Sequence, residues 1–342
     1  MLCLISPNII PHFKMKVSII TSCYNRETTI RGAIESVLAQ DYPDIEYIVV
    51  DGASSDGSLG IIRSEELKVK SEEFAAAHPN FSMRVISEPD RGMYEAINKG
   101  IRMASGDVIG LVHSDDMLYD SHVVTDIVEA FERSKADFVY GDGIFVNFND
   151  TNKVVRNWIG GPYYRWKVRC GWLPLHPTCY IRRDVMLREG LYDESFHIAA
   201  DTDLLVRYLY KAHLKVFYLK RKIIRMRMGG LSTDSEKRRQ MWDEDIRLYT
   251  AHGFQPVILS KLMKMAWKVP QFIRDSSVSN ELAVTARAVW NGILIVIDIV
   301  TAEMPRICPY AVTRTILVIS LLSGNQARRL CLPKRWHTGL KV

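Results

Sequence analysis

The chain has 342 residues, 47% of them hydrophobic and 25% charged, a balance that fits one large folded domain with an appendage. Its six cysteines show no CxxC pair and no metal-ligand spacing, which argues against a zinc site and for a reduced, cytosolic compartment. The net charge of +6 is uneven: residues 257–342 hold 12 Lys/Arg against 4 Asp/Glu, a local +8 that leaves −2 for the rest. A near-neutral body with a basic tail points to an anionic surface for the tail, membrane or nucleic acid, or to a merely solvated basic face.

Residues 1–12 are mildly apolar but lack a basic n-region and an A-x-A site, so they do not read as a signal peptide, and residues 1–15 read as an N-terminal extension. Residues 16–22 are β-branched and predict a strand, with a loop at Cys23, Tyr24, Asn25 and Arg26. Ile30, Ala33, Ile34, Val37 and Leu38 then recur as the apolar stripe of a helix. Residues 45–50 predict the next strand, which ends in Asp51 before the turn-rich 52–57. This alternation opens a doubly wound α/β fold with a parallel sheet. Neither loop carries GxGxxG or GxxxxGK[ST], which disfavours a dinucleotide dehydrogenase or a P-loop NTPase. Asp51 remains free to accept hydrogen bonds from a base or ribose, or to serve as an acid at a helix N-terminus.

Residues 59–77 predict a charge-laced crossover helix, and residues 83–86 a strand. After Gly92, Tyr94, Ile97 and Ile101 share one helix face, and Gly100 marks a close approach or an end. Residues 106–112 form an apolar run that ends in His113, Ser114, Asp115 and Asp116, a buried strand delivering two acids to its carboxyl end. Adjacent carboxylates raise each other's pKa, a cost that a divalent cation relieves, and oxygen ligands suit magnesium or manganese bridged to phosphates. A plain polar turn is the alternative. A helix through Val123–Phe131 and a strand from Asp137 follow.

The ordered segments VSIITSCYNR, IVVDGASSDGS, SEPDRGMYEAINKGI and ASGDVIGLVHSDD resemble the family-2 glycosyltransferases, and EPDRGMYEAINKGI resembles their bacterial polysaccharide-assembly branch. The resemblance covers residues 16–235. It implies a GT-A fold over that span (Rossmann-like, a mostly parallel sheet flanked by helices), followed by a helical, basic C-terminal region over 236–342. It also implies that Tyr24, Asn25 and Asp51 hold the nucleotide base, with Asp90 and Arg91 beside the nucleotide and pyrophosphate. A guanidinium suits phosphate oxygens. By the same resemblance Asp116 ligates the metal and Asp115 contacts ribose or metal, while His113 stands where many members carry a further acid.

Residues 142–158 predict a β-hairpin turning at 148–152. Tyr163, Tyr164, Trp166 and Trp172 crowd the next loop, suited either to sugar rings or to closing a core. His176, just before a strand, reads as structural, although its His-Pro setting resembles the family's acceptor-side loop, with Trp172 nearby. Asp201 opens a helix carrying Leu204, Leu205, Tyr208 and Leu209. It reads as an N-cap from its position alone, and by resemblance as the general base on the acceptor hydroxyl; Asp203 would support the helix start. Residues 215–219 and 223–227 predict two closing strands. Residues 228–232 resemble the family's GG-S segment near the donor phosphates, with Met228 where relatives often have His; Arg225 and Arg227 offer positive charge instead. A charged helix spans 235–253. Apolar stretches at 289–300 and 315–322 are shorter than the ~18–20 residues a bilayer needs. With Lys261, Lys264, Lys268 and the later basic residues they suit a helix lying on an anionic leaflet, or helices packed on the protein or on a second subunit.

The resemblance thus implies an inverting glycosyltransferase with Mg2+ or Mn2+ and a UDP-, GDP- or dTDP-linked sugar donor. Its acceptor would be a saccharide, lipid-linked, at the cytoplasmic face of the plasma membrane, where the chain is expected as a peripheral protein. The alternative is an inactive GT-A domain that binds nucleotide-sugar or membrane as an assembly partner. A nucleotidyltransferase lacks its triphosphate loop here, and the basic tail has no aromatic-rich nucleic-acid motif.

Overall fold

The computed structural model describes residues 15–229, 238–254 and 257–267. The N-terminal extension to residue 14, residues 230–232 of the GG-S segment, and both apolar stretches of the tail lie outside these residues, as does Lys268.

Strands β1 (Val17–Cys23) and β2 (Ile45–Asp51) are buried along their whole length and pair in parallel, Val17 against Ile45 through Cys23 against Asp51. Both faces of these strands are covered, which is why their sequences run apolar without a break. Ile19, Tyr47 and Val49 face helix α1 (Ile30–Leu38), whose buried stripe is Ile30, Ala33, Ile34 and Val37. Ile20, Ile48 and Val50 enter the opposite core layer. The single crossover helix expected over 59–77 is two, α2 (Ser58–Val69) and α3 (Glu72–Ala77). Ser71 breaks it, because its hydroxyl accepts the Phe74 amide and caps the second piece.

Strand β3 (Ser82–Ser87) lies parallel to β2 and leads to α4 (Met93–Met103). Gly100 is a close approach: a Cβ there would stand 2.6 Å from Cγ2 of Ile20 in β1. Strand β4 (Val108–Leu111) adds in parallel to the other side of β1. There follow β5 (Met117–Leu118), α5 (Val123–Ser134), and the hairpin of β6 (Phe138–Val146) with β7 (Val154–Trp158). Then come α6 (Arg165–Arg169), a 3-10 turn over His176–Thr178, β8 (Tyr180–Arg182) and α7 (Arg183–Glu189). Helix α8 (Ala200–Val206) runs into a π-helical turn, Arg207–Lys211, before β9 (Val216–Arg227), α9 (Arg238–Ala251) and α10 (Val257–Ala266).

Among the described residues the sheet order is β3-β2-β1-β4-β8-β6-β9-β5, with β7 on β6. Strands β1, β2, β3, β4, β6 and β9 point one way, and the short β5, β7 and β8 run against them. The sheet is therefore wholly parallel only over β3-β2-β1-β4, and mixed beyond. The two closing strands expected at 215–219 and 223–227 are one strand. Its register on β6 slips between Tyr140/Tyr218 and Asp142/Lys222, so a bulge absorbs the polar interruption.

Glu46 is a buried acid at the opposite end of β2 from Asp51. Its carboxylate accepts from the Ser18 hydroxyl (2.6 Å) and the Ser105 amide (2.7 Å) and pairs with Arg84. Burial pushes its pKa up, but these hydrogen bonds and the Arg84 charge outweigh it and hold the carboxyl below its usual range. A depressed folded pKa contributes stability that is complete above the unfolded value, about 4.3, and is lost as pH falls through the folded value. Glu46→Gln is expected to cost about 1.5–3 kcal/mol at pH 7, as for a hydrogen-bonded buried charge. In urea unfolding the gap to wild type should narrow as the pH drops below the usual carboxylate range; a gap that stays constant would contradict this account.

Candidate active site

The shared direction of the major strands puts the carboxyl ends of β1, β2, β3, β4 and β9 at one edge, where a cleft of about 1730 Å³ opens. The loop after β1 is clasped to the loop after β2. The Asn25 amide donates to Ser54 Oγ (2.9 Å), the Ser55 amide to Asn25 Oδ1 (2.9 Å), and the Arg26 amide to Ser58 Oγ (2.7 Å). Asn25 takes a left-handed φ of 52°, which an Asn tolerates at a turn. Tyr24, 60% exposed, stands on the cleft wall.

Asp51 does not share that wall. It is 0% exposed, and its carboxylate accepts from the Ser54 amide (3.1 Å), the Ser54 hydroxyl (2.5 Å) and the Ser87 hydroxyl (2.7 Å). The cleft lining at this point is Gly52 and Ala53. Asp51 is likewise not at a helix start, since α2 begins at Ser58. Asp90 and Arg91 do line the cleft. Burial pushes the Asp90 carboxyl above its ordinary range, against the Gly92 amide that it accepts at 2.9 Å and the charge of Lys99. Arg91 is already engaged: its guanidinium pairs with Glu95 (2.9 Å) and Glu194 (2.7 Å).

After β4 the chain turns tightly, the Asp116 amide donating to the His113 carbonyl (3.0 Å). Asp115 is half-buried at the cleft, and Asp116 is only 2% exposed. One carboxylate oxygen of Asp116 accepts the Arg227 amide at the end of β9 (3.2 Å). Burial, then the neighbouring Asp115, push its carboxyl well above the usual range, with Arg227 working the other way. A carboxylate so placed, with a single backbone donor and a second acid beside it, fits a hard divalent cation. Among the described residues no group of three or more His, Cys, Asp or Glu closes around a metal, so such a cation would take its remaining oxygens from water and phosphate. Of the two arginines offered by the sequence, Arg225 turns away to the Tyr119 carbonyl (3.1 Å) and ring. Arg227 lines the cleft, and its Nε and Nη1 have no partner.

His176 and Trp172 both line the cleft. The His176 ring stacks on His113 (centroids 5.9 Å apart) and shares a hydrogen bond with the Tyr192 hydroxyl (2.7 Å). Burial lowers the His176 pKa to about 4, opposed by Asp201, so the ring is neutral at pH 7. The Trp172 indole is 6% exposed and donates to the Gly160 carbonyl (3.2 Å), which sets its plane.

Asp201 lies inside the first turn of α8 rather than at its cap, which is Ala199. The loop just before the helix is held from a distance. Glu244 of α9 accepts the amides of His197 (3.1 Å), Ile198 (2.9 Å) and Ala199 (2.9 Å). Burial opposes its charge, but the three amides hold its carboxyl below the ordinary value. Asp201 accepts only the Thr202 amide (2.6 Å), and its carboxylate lies on the cleft with His113 and His176 on the same wall. Asp203 is also an acid of the first turn of α8, but it lies off the cleft and pairs with Arg207 (2.8 Å) and His252 (2.8 Å).

Sequence reasoning missed Glu244 and left two lysines open between a membrane face and packing on the protein. Lys261 and Lys264, counted among the basic residues for a membrane face, turn inward onto the buried Asp245 (3.2 and 3.0 Å). Lys264 also donates to the Thr202 hydroxyl (3.3 Å). Burial works against its charge, but Tyr249, Asp245 and Asp201 outweigh it and push its pKa up to about 12. The only hint in the sequence was spacing: residues 261 and 264 share one helix face.

The Glycosyl transferase family 2 model matches residues 18–199, over half of the chain. An uncharacterised glycosyltransferase of Mycobacterium tuberculosis is 30% identical over 196 residues, 56% of this chain and 68% of that one. A PGL/p-HBAD biosynthesis glycosyltransferase of Mycobacterium bovis is 28% identical over 193 residues, with the same coverage. The crystal structure of S. aureus TarS 1–349 in complex with UDP-GlcNAc superposes with a TM-score of 0.50 at 16% identity, covering 82% of this chain and 72% of that one, a likeness of fold. With the β3-β2-β1-β4 half-sheet, its acid-bearing strand ends and this match, the fold is GT-A, and the chain belongs to glycosyltransferase family 2.

Proposed function

We propose that the chain moves a sugar from a nucleotide-diphospho-sugar to a hydroxyl of a saccharide acceptor, with inversion at the anomeric carbon. One observation carries the reading: the Asp115–Asp116 pair and Asp201, delivered by β4 and α8, line the same cleft. The donor arm is the end formed by Tyr24, Asn25, Gly52, Asp90 and Asp115. In it Asp51 acts as a positioning residue, holding the two loops through Ser54 and Ser87. Arg227, with unpartnered guanidinium nitrogens beside Asp116, is better placed for the diphosphate than the doubly paired Arg91.

Asp116, with Asp115, would hold Mg2+ or Mn2+, and a bound cation of this kind neutralises diphosphate charge and stabilises the leaving nucleotide. Asp201 accepts the acceptor hydroxyl proton as that oxygen attacks the anomeric carbon, and the bond to the diphosphate breaks on the opposite face. His176 and Trp172 shape the acceptor side, the neutral ring adding no charge. The catalytic domain is proposed to run over residues 16–235, with 236–342 as a helical, basic region. A lipid-linked acceptor and a peripheral place at the cytoplasmic membrane face are proposed from the charge of that region. Among the described residues no helix is long and apolar enough to cross a membrane.

The decisive assay is nucleotide release from UDP-, GDP- and dTDP-sugars with manganese, magnesium or EDTA. Slow, metal-dependent release from one donor, lost in Asp116→Ala, is expected. Tight donor binding without turnover, even with acceptors supplied, would instead favour an inactive binding domain. Asp201→Asn is expected to keep donor affinity while transfer falls about 10²–10⁴-fold, the usual worth of a general base. Equal losses of affinity and rate would remove Asp201 from that role.

A further inference from the structure

Beyond Asp201 the cleft extends along the residues of α6 and the turn after it, which lie within the family match, and of α10, which lies past it. This arm is a built wall. Gly171, at φ 75°, lets α10 come so close that a Cβ there would stand 2.4 Å from the Ser260 carbonyl oxygen. The Ser260 hydroxyl donates to the Arg169 carbonyl (3.1 Å) and the Trp267 indole to the Cys170 carbonyl (2.8 Å). The arm carries Lys167, Lys261 and Lys264, with Trp172, Trp242 and Trp267.

The charges of this arm are not balanced by its own acids. Lys261 and Lys264 share one carboxylate, Asp245. Lys167 has none among the described residues: its ammonium donates to the Pro162 carbonyl (2.9 Å) and sits 5.0, 5.5 and 5.8 Å from the ring centroids of Tyr164, Trp172 and Trp267. Ring faces attract the charge but do not replace strong acceptors for its remaining N–H groups. Burial accordingly lowers the Lys167 pKa. An anion arriving in the arm would relieve that cost, while the indole planes offer apolar faces to a sugar ring.

We propose that this arm takes the acceptor saccharide by an anionic substituent, a carboxylate or a phosphate, with Lys167 as its main ligand and Trp267 against the ring. The assignment of this arm to the acceptor rests on the glycosyltransfer reading above. It makes residues 165–172 and 257–267 a specificity element for acidic acceptors.

The test follows tryptophan fluorescence of the full chain, with and without saturating UDP, on titration with methyl glucuronide, glucose 6-phosphate and methyl glucoside. At least one charged probe is expected to bind about tenfold more tightly than the neutral one, as a charge-assisted hydrogen bond implies. Whichever charged probe is favoured names the carboxylate or the phosphate as the source. Lys167→Met should erase the preference and Lys167→Arg keep most of it, with UDP affinity unchanged in both. Equal binding of charged and neutral probes, a preference that survives Lys167→Met, or no saturation by any charged probe would overturn the proposal. Titration with the nucleotides is a separate readout. Failure to bind any of UDP, GDP and dTDP counts against the donor reading, whereas normal nucleotide affinity without an acid preference counts against the acidic acceptor alone.

Discussion

Glu244 reaches across from α9 to accept three consecutive amides, those of His197, Ile198 and Ala199, and the Asp201 side of the cleft hangs on that contact. The first amides of a helix and of the loop before it have no partners within the helix. Asp201 itself accepts one first-turn amide, that of Thr202, through a single oxygen. With the preceding amides met by Glu244, it has only that one to satisfy, and α9 becomes part of the site. Asp203, on the same helix, is spent on Arg207 and His252 and ties α8 to the end of α9. The two acids, two positions apart, are separated by where the helix points them.

The Asp116 side of the cleft follows a different rule. There the acids are either fully satisfied or held at a cost. Asp51 is saturated by Ser54 and Ser87 and rigidifies two loops without touching the cleft. Asp116 is buried, has one amide donor and stands next to Asp115, so its ionised form is costly without a compensating cation. Rigid loops around an electrostatically costly carboxylate are a preorganised setting for a cation and a diphosphate, because binding does not have to order the site.

Much of this was legible in the sequence. The β1–α1–β2 unit and β4 declared themselves through unbroken apolar runs and a 3.6-residue stripe, signals that depend only on neighbours along the chain. What was not legible depended on partners far away in sequence. The bulge that joins residues 215–219 and 223–227 into β9 exists only against β6. The break at Ser71 is a local cap hidden in a helix-rich composition. Glu244 carries no motif and acts 45 to 47 positions from its amides. Lys261 and Lys264 look like surface cations until Asp245 is seen beneath them, since charge counts along a helix do not say which face is turned inward. Asp51 was found at its strand end, but the direction of its carboxylate was set by Ser87, on another strand.

The tight seam at Gly171 has a consequence for how such a chain can diverge. The Asp116 end of the cleft is built by β1 to β4, their loops and the end of β9, whereas the lysine-bearing arm is shared between α10 and the turn after α6, which at Gly171 leave no room for a side chain. Changes in the α10 residues that line the arm leave the Asp116 end in place, while a side chain at residue 171 would displace both walls of the arm at once. On the acceptor reading proposed above, one end of the cleft can drift toward new acceptors while the other stays fixed.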